Sequence, residues 1–177
     1  MKKYELLVDD TITFFGVQLF RIKALISFSG IEKGELGGYV ASEKNLSQSG
    51  NAWVSGNAEV YGNARVSGNA EVSGNAWVYG NARVSGNAEV SGNARVSGNA
   101  EVYGDADYIV FKNTWSSGRY FTYTKSNKMW RVGCFYGDGD KLIKKAYKDS
   151  KKSGDFYKAY VEFVEKLEEI ENIHKEQ

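Results

Sequence analysis

The chain has 177 residues, 25% of them charged and 42% hydrophobic, which suits a soluble protein of about one domain with appendages. It has no proline, one cysteine and one histidine, so a disulfide framework and a Cys/His metal site are both excluded. The net charge of +1 hides a division: residues 1–107 carry nine Lys/Arg against twelve Asp/Glu, 108–153 eleven against three, and 154–177 three against seven. A basic block of that kind is either a footprint for an anionic partner or the solvated face of a Lys-rich helix.

From the N-terminus, Tyr4 to Val8 reads as a strand, Asp9-Asp10 as a turn and Thr11 to Phe15 as the returning strand. Gly16 to Ile22 reads as a further strand, followed by Ala24 to Phe28. Gln18, Arg21 and Lys23 interrupt the apolar run, so neither a secretion signal nor a membrane span is expected, and a cytoplasmic location is the reading.

Gly50 to Ile109 then holds ten consecutive six-residue units, Gly-Asn-Ala-x-Val-Ser/Tyr, whose phase never slips. Ala, x, Val and Ser/Tyr alternate apolar with polar, the period of a strand with one buried face. Gly-Asn marks a turn, because both residues tolerate positive φ. Short strands and corners repeated in register predict a solenoid of parallel strands whose Ala and Val fill a narrow lumen. Val40 and Leu46 fall in phase with the Ala positions, so the first coil is expected near Tyr39. The preceding strands would cap a solenoid end, where open strand edges invite aggregation.

With three units to a coil, residues eighteen apart stack and the outward columns follow. One face carries Trp53, Glu71, Glu89 and Asp107, the second Glu59, Trp77 and Arg95 beside Tyr61 and Tyr79, the third Arg65, Arg83 and Glu101. Stacked like charges repel, which makes sense where one copy's acidic face meets another's basic face. Such a contact is heterologous, and a triangular prism closes it at three. The expected interface is therefore Tyr61, Trp77, Tyr79, Arg65, Arg83, Glu71 and Glu89, with the aromatic second face as the packed one.

After the array, Tyr108 to Phe111, Tyr120 to Lys125 and Met129 to Phe135 read as strands, the last two joined at Ser126-Asn127. Asp140 is expected to cap a helix through Asp149, Ser153-Gly154-Asp155 to break it, and a second helix to run from Phe156 to His174. The stripe Tyr160, Phe163, Val164, Leu167, Ile170 would pack on the small sheet or form a helical bundle on a trimer axis. Trp115, Arg119, Tyr123, Lys125, Lys128 and Arg131 make an aromatic-basic hairpin, suited to stacking bases and pairing phosphates. Strand alternation sends about half of such residues inward, with Trp130 and Tyr120 or Phe121 favoured for the core.

The hexad array resembles the hexapeptide repeat of left-handed β-helix proteins, and Ile31 to Val40 with Asn45 to Asn51 looks like the YdcK-like way into such a helix. The module with Trp115-Ser116-Ser117-Gly118-Arg119 and Met129 to Phe135 is similar to one trailing such repeats in phage and prophage proteins. The resemblance implies a mainly β protein: an N-terminal β cap over 1–38, a left-handed parallel β-helix over 39–109 and a small α+β module over 110–177. It also implies homotrimers and acyl transfer in many members, usually with a histidine base near the subunit boundary. Here the single His174 lies outside the coils, and Glu71, Glu89 or Asp107 would have to substitute.

Gly133 to Lys141 lacks the spacing and final Ser/Thr of a phosphate loop, and Cys134 reads as a small buried thiol. No catalytic residue, metal or cofactor is therefore expected. The reading is a trimeric binding protein of phage or mobile-element type, taking a nucleotide-like ligand or a host defence protein, with nucleic acid less favoured. A degenerate acyltransferase and a structural spacer are the alternatives.

Overall fold

A computed structural model describes residues 1–175. The repeat folds as expected into a parallel β-solenoid, and each unit contributes a two-residue strand. These are β4 (Trp53–Val54), β5 (Glu59–Val60), β6 (Arg65–Val66), β7 (Glu71–Val72), β8 (Trp77–Val78), β9 (Arg83–Val84), β10 (Glu89–Val90), β11 (Arg95–Val96) and β12 (Glu101–Val102). The three faces have the orders β4-β7-β10, β5-β8-β11 and β6-β9-β12, with partners eighteen residues apart, as in Glu71↔Glu89 and Val72↔Val90. Every Ala and Val of units 52–102 is buried, so the lumen is a packed core of small side chains.

The strands are short because every corner turns on a left-handed glycine. Gly68 has φ +69, and a Cβ there would come within 3.0 Å of the Gly86 nitrogen one coil on. Both the conformation and the spacing demand glycine. Asparagines ladder along two corners: Asn51 donates to Asn69 at 3.1 Å, and Asn63 to Asn81 at 3.1 Å.

Three N-terminal strands extend the second face to the order β1-β2-β3-β5-β8-β11. They are β1 (Tyr4–Phe14), β2 (Val17–Ala24) and β3 (Leu36–Val40). Here two expectations are corrected. β1 runs through Asp9-Asp10 as one strand with a register shift between Leu7 and Thr11. The turn lies at Phe15-Gly16, both at positive φ (44 and 77), which suits the right-handed twist of a two-residue hairpin. In the first coil, Val40 pairs with Val60 and Leu46 bridges to Val66, so both join the Val rows rather than the Ala rows. That coil carries two extra residues.

The tenth unit is no coil strand. Residues Asp105–Asp107 form a single 3₁₀ turn, which leads into a four-stranded antiparallel sheet. Its strands are β13 (Tyr108–Lys112), β14 (Tyr120–Thr124), β15 (Met129–Val132) and β16 (Phe135–Gly137). The stretch Met129 to Phe135 splits at Gly133, φ +57, which turns the chain back and leaves Cys134 exposed rather than buried. Helices α1 (Gly139–Asp149) and α2 (Lys151–Lys175) follow.

Asp138, not Asp140, caps α1, accepting from the Lys141 N–H at 2.8 Å. The helix pair is divided at Ser150, and Gly154 lies inside α2. A Cβ on Gly154 would fall 2.1 Å from the Tyr147 ring, so this glycine is a helix contact and not a breaker. Phe121, Trp130, Leu142, Tyr157, Val161 and Val164 form the module's own core.

The two solenoid ends are closed by complementary chemistry. In a parallel coil stack the first coil leaves carbonyls unpaired and the last leaves N–H groups. At the carbonyl end, Lys3 Nζ donates to the Ala52 carbonyl at 2.7 Å and Asn45 Nδ2 to those of Ala64 (2.9 Å) and Gly62 (3.1 Å). Tyr4 Oη donates to the Leu46 carbonyl at 2.6 Å. At the N–H end, acceptors answer: Asp105 takes the Glu89 N–H (2.9 Å), Thr122 that of Arg95 (2.9 Å), Ser126 that of Glu101 (2.8 Å) and Asp107 that of Tyr103 (2.7 Å).

Candidate functional site

The second face is where all three parts of the chain meet. Its outward column runs Tyr39, Glu59, Trp77, Arg95 in register. The Arg95 guanidinium lies 3.9 Å over the Trp77 ring, and Phe14 at the hairpin tip meets Trp77 edge-on with centroids 4.6 Å apart. In the neighbouring column, Tyr61 and Tyr79 stack at 5.0 Å, with Phe14 against Tyr61 and Arg131 over Tyr79. Burial, reinforced by the nearby Tyr79 and Glu59, pushes the Tyr61 hydroxyl up to about 12. Part of the face expected to meet a neighbouring copy is therefore met by the chain itself.

Glu59, which carried no role in the sequence reading, is the most unusual group here. It is 9% exposed, and its Oε2 has no hydrogen-bond partner among the described residues. Burial raises its carboxyl above the ordinary range. It lines a cavity of about 260 Å³ with Trp77, Arg95, Tyr120 and the corner column Asn57, Asn75 and Asn93. The only signal in the sequence was a glutamate placed among aromatic neighbours in one column.

The aromatic-basic hairpin does not converge on an anion. Tyr123 is buried and its hydroxyl donates to Glu168 at 2.6 Å, while Lys125 pairs with Glu171 at 2.6 Å. Lys128 lies 3.6 Å from Glu168. Arg131 sits across from Thr122 and turns toward the solenoid, Arg119 is exposed near Gly133, and Trp115 stands apart, stacked on Phe156. The hollow beside Tyr123, Lys128 and Trp130 is walled by Asp138, Asp140, Glu165 and Glu168, the wrong sign for phosphate.

Two solenoid faces stay open. Glu71 stands over Glu89 on one and Arg65 over Arg83 on the other, all four exposed. Trp53 at the head of the acidic column is buried beneath Tyr4 and Phe28. Asp107 leaves that column to close the last coil, and Asp105 takes its place over Glu89.

The family model described as YdcK beta solenoid repeat matches residues 58–74, 64–80, 76–92 and 88–104. Residues 58–104 are thus similar to the YdcK β-solenoid repeat. No curated protein matches the chain significantly. In the solenoid the repeated Gly, Ala and Val are spent on corners and lumen, while the x, Ser/Tyr and corner Asn positions face outward, as in the Glu59 cavity. Among the described residues, no group of three His, Cys, Asp or Glu is placed to hold a metal ion, and no helix is long and apolar enough to cross a membrane. His174 is exposed in the last turn of α2.

Proposed function

We propose that this chain is a non-catalytic binding protein that works as a homotrimer, with its partner held in the clefts between copies. The observation that carries this reading is the pair of open, oppositely charged ladders, Glu71-Glu89 and Arg65-Arg83. Like charges one strand spacing apart, about 4.8 Å, repel when left alone. In the single chain Arg83 already lies 3.8 Å from Glu101; set against the other ladder of a neighbour, Arg65, Glu71 and Glu89 gain an opposite charge too, and a triangular section closes that contact at three. The second face is occupied by Phe14 and Arg131, and both ends are capped, so of the solenoid's own surfaces these two faces are left for side-to-side contact.

The partner in this reading is a protein rather than a nucleotide, because Lys125 and Lys128 already face carboxylates of α2. A host defence component blocked by a phage-encoded protein is a partner of that class. Sedimentation of the full chain should give three times 19.7 kDa, and Arg65→Glu/Arg83→Glu a single chain. A wild type that sediments as one chain overturns the reading. Calorimetry against cyclic nucleotides and dinucleotides should give no heat, and binding lost in Arg119→Ala or Arg131→Ala would restore the nucleotide ligand.

Glu59 supports a second reading, group transfer with this carboxylate as base, since a raised carboxyl beside a cavity suits proton abstraction. Acetyl-CoA turnover abolished by Glu59→Gln would establish it, and no turnover would remove it.

A further inference from the structure

Helix α2 carries two apolar rows. Tyr157, Val161 and Val164 are buried against the small sheet. The second row, Phe156, Tyr160, Phe163, Leu167 and Ile170, advances by four, three, four and three residues, the alternation of a coiled-coil seam. It extends over about 21 Å of helix; Tyr160 also packs on Phe111 and Phe121 of the sheet, and the row faces solvent from Phe163 on. Phe163 is 55% exposed, Leu167 38% and Ile170 44%. At its start Trp115, 68% exposed, stacks on Phe156 with centroids 6.3 Å apart. With Ala159, Tyr160 and Phe163 these two rings wall an apolar hollow of about 280 Å³. Single exposed apolar residues need no explanation, but a continuous seam of this kind marks a contact.

We infer that α2 joins copies of this chain through this second seam, each helix lying parallel to the same helix of a neighbour. The three-four spacing is that of a helix meeting another helix. The flanking charges select a copy of this chain, being self-complementary in one direction only. Lys166 borders the seam on one side and Glu171, five residues on, borders it on the other. Parallel helices bring Lys166 of one copy to Glu171 of the next, whereas antiparallel helices set Lys166 against Ala159, Lys166 or Ile173 and offer it no opposite charge. Within the single chain Lys166 makes a surface pairing with Glu169, and Glu171 sits between Lys125 and Lys175. The number of copies, three, rests on the proposed trimer; the contact itself does not. Helices that meet along a rotation axis run parallel, so the seam and a closed ring agree in direction.

The test is sedimentation of the full chain beside Leu167→Glu/Ile170→Glu, whose side chains are exposed in the single chain, with far-UV circular dichroism to follow the fold. The variant should sediment as a single chain at concentrations where the wild type is assembled, a loss of at least 100-fold in association. Lys166→Glu should weaken association about 10-fold, and adding Glu171→Lys should restore it. In a Cys134→Ser background, Ile170→Cys should cross-link to itself on mild oxidation; absence of that cross-link from the assembled protein counts against parallel helices. An assembled Leu167→Glu/Ile170→Glu variant overturns the seam and leaves the solenoid contact standing. A wild-type dimer lost in that variant, and indifferent to Arg65→Glu/Arg83→Glu, upholds the seam and overturns the three-fold ring. A wild-type monomer overturns both.

Discussion

The two ends of the solenoid solve one problem with opposite chemistry. The carbonyl end is closed by donors, Lys3, Tyr4 and Asn45, held in or beside a sheet continuous with the coils. The N–H end is closed by acceptors, Asp105, Asp107, Thr122 and Ser126, which come from a turn and a separate antiparallel sheet. A parallel coil stack is polar along its axis, so its caps cannot be exchanged. The difference also predicts unequal fragility: the buried Asn45 carboxamide serves two carbonyls, whereas the buried Thr122 hydroxyl serves one N–H, and the acceptors Asp105 and Ser126 are exposed.

The harshest way to break the comparison is to remove a cap. Without residues 1–38, or without everything after Asp107, a row of unpaired backbone groups is exposed, and either truncation should aggregate, as light scattering and thioflavin fluorescence would show. Point changes should separate the ends. Asn45→Ala strands the Gly62 and Ala64 carbonyls in a buried site and should cost about 3 kcal/mol in urea unfolding, against about 1 kcal/mol for Thr122→Val, which deprives only the Arg95 N–H. Equal losses would show that the ends are energetically alike.

Smaller effects follow from pH. Burial holds the Lys3 ammonium down to about 8 from 10.5, so above pH 8 the folded chain releases a proton that the unfolded chain keeps. Stability from this group therefore rises with pH, and between pH 7.5 and 9.5 the wild-type urea midpoint should climb relative to Lys3→Met. At the other end of the chain, hydrogen bonds from Lys125 and Lys175 hold Glu171 at about 2. Its contribution is present above pH 4.5 and lost as pH falls toward 2, so acid should loosen the end of α2 in the wild type and less in Lys125→Ala, read by amide exchange.

The solenoid was legible because its period is short and unbroken, and because Gly, Ala and Val each have one physical duty in every unit. The caps were harder. Asp9-Asp10 looks like a turn by composition, yet a bulge lets β1 run on and Phe15-Gly16 supplies the turn. Gly154 has the composition of a helix breaker, and only the Tyr147 ring packed on it shows why no side chain fits.

The residues expected to form an anion site lie apart for a related reason. Strand alternation sends Tyr123 toward α2 and Arg131 toward the coils, and nothing local to the hairpin announces that Glu168 and Glu171 will lie against it. Glu59 was invisible for the opposite reason. It occupies an ordinary outward position and is buried by neighbours from elsewhere in the chain.

Identical corners carry a consequence for how such a protein changes length. Because each coil beyond the first presents the same Gly, Asn, Ala and Val to the coils above and below, eighteen residues duplicated or lost in the middle would leave lumen and corners in register, while the second face would have to remake its contacts with Phe14 and Arg131. Each event would move the two terminal modules apart or together by about 4.8 Å and rotate nothing in the lumen. The rod is in that sense a ruler graduated in whole coils.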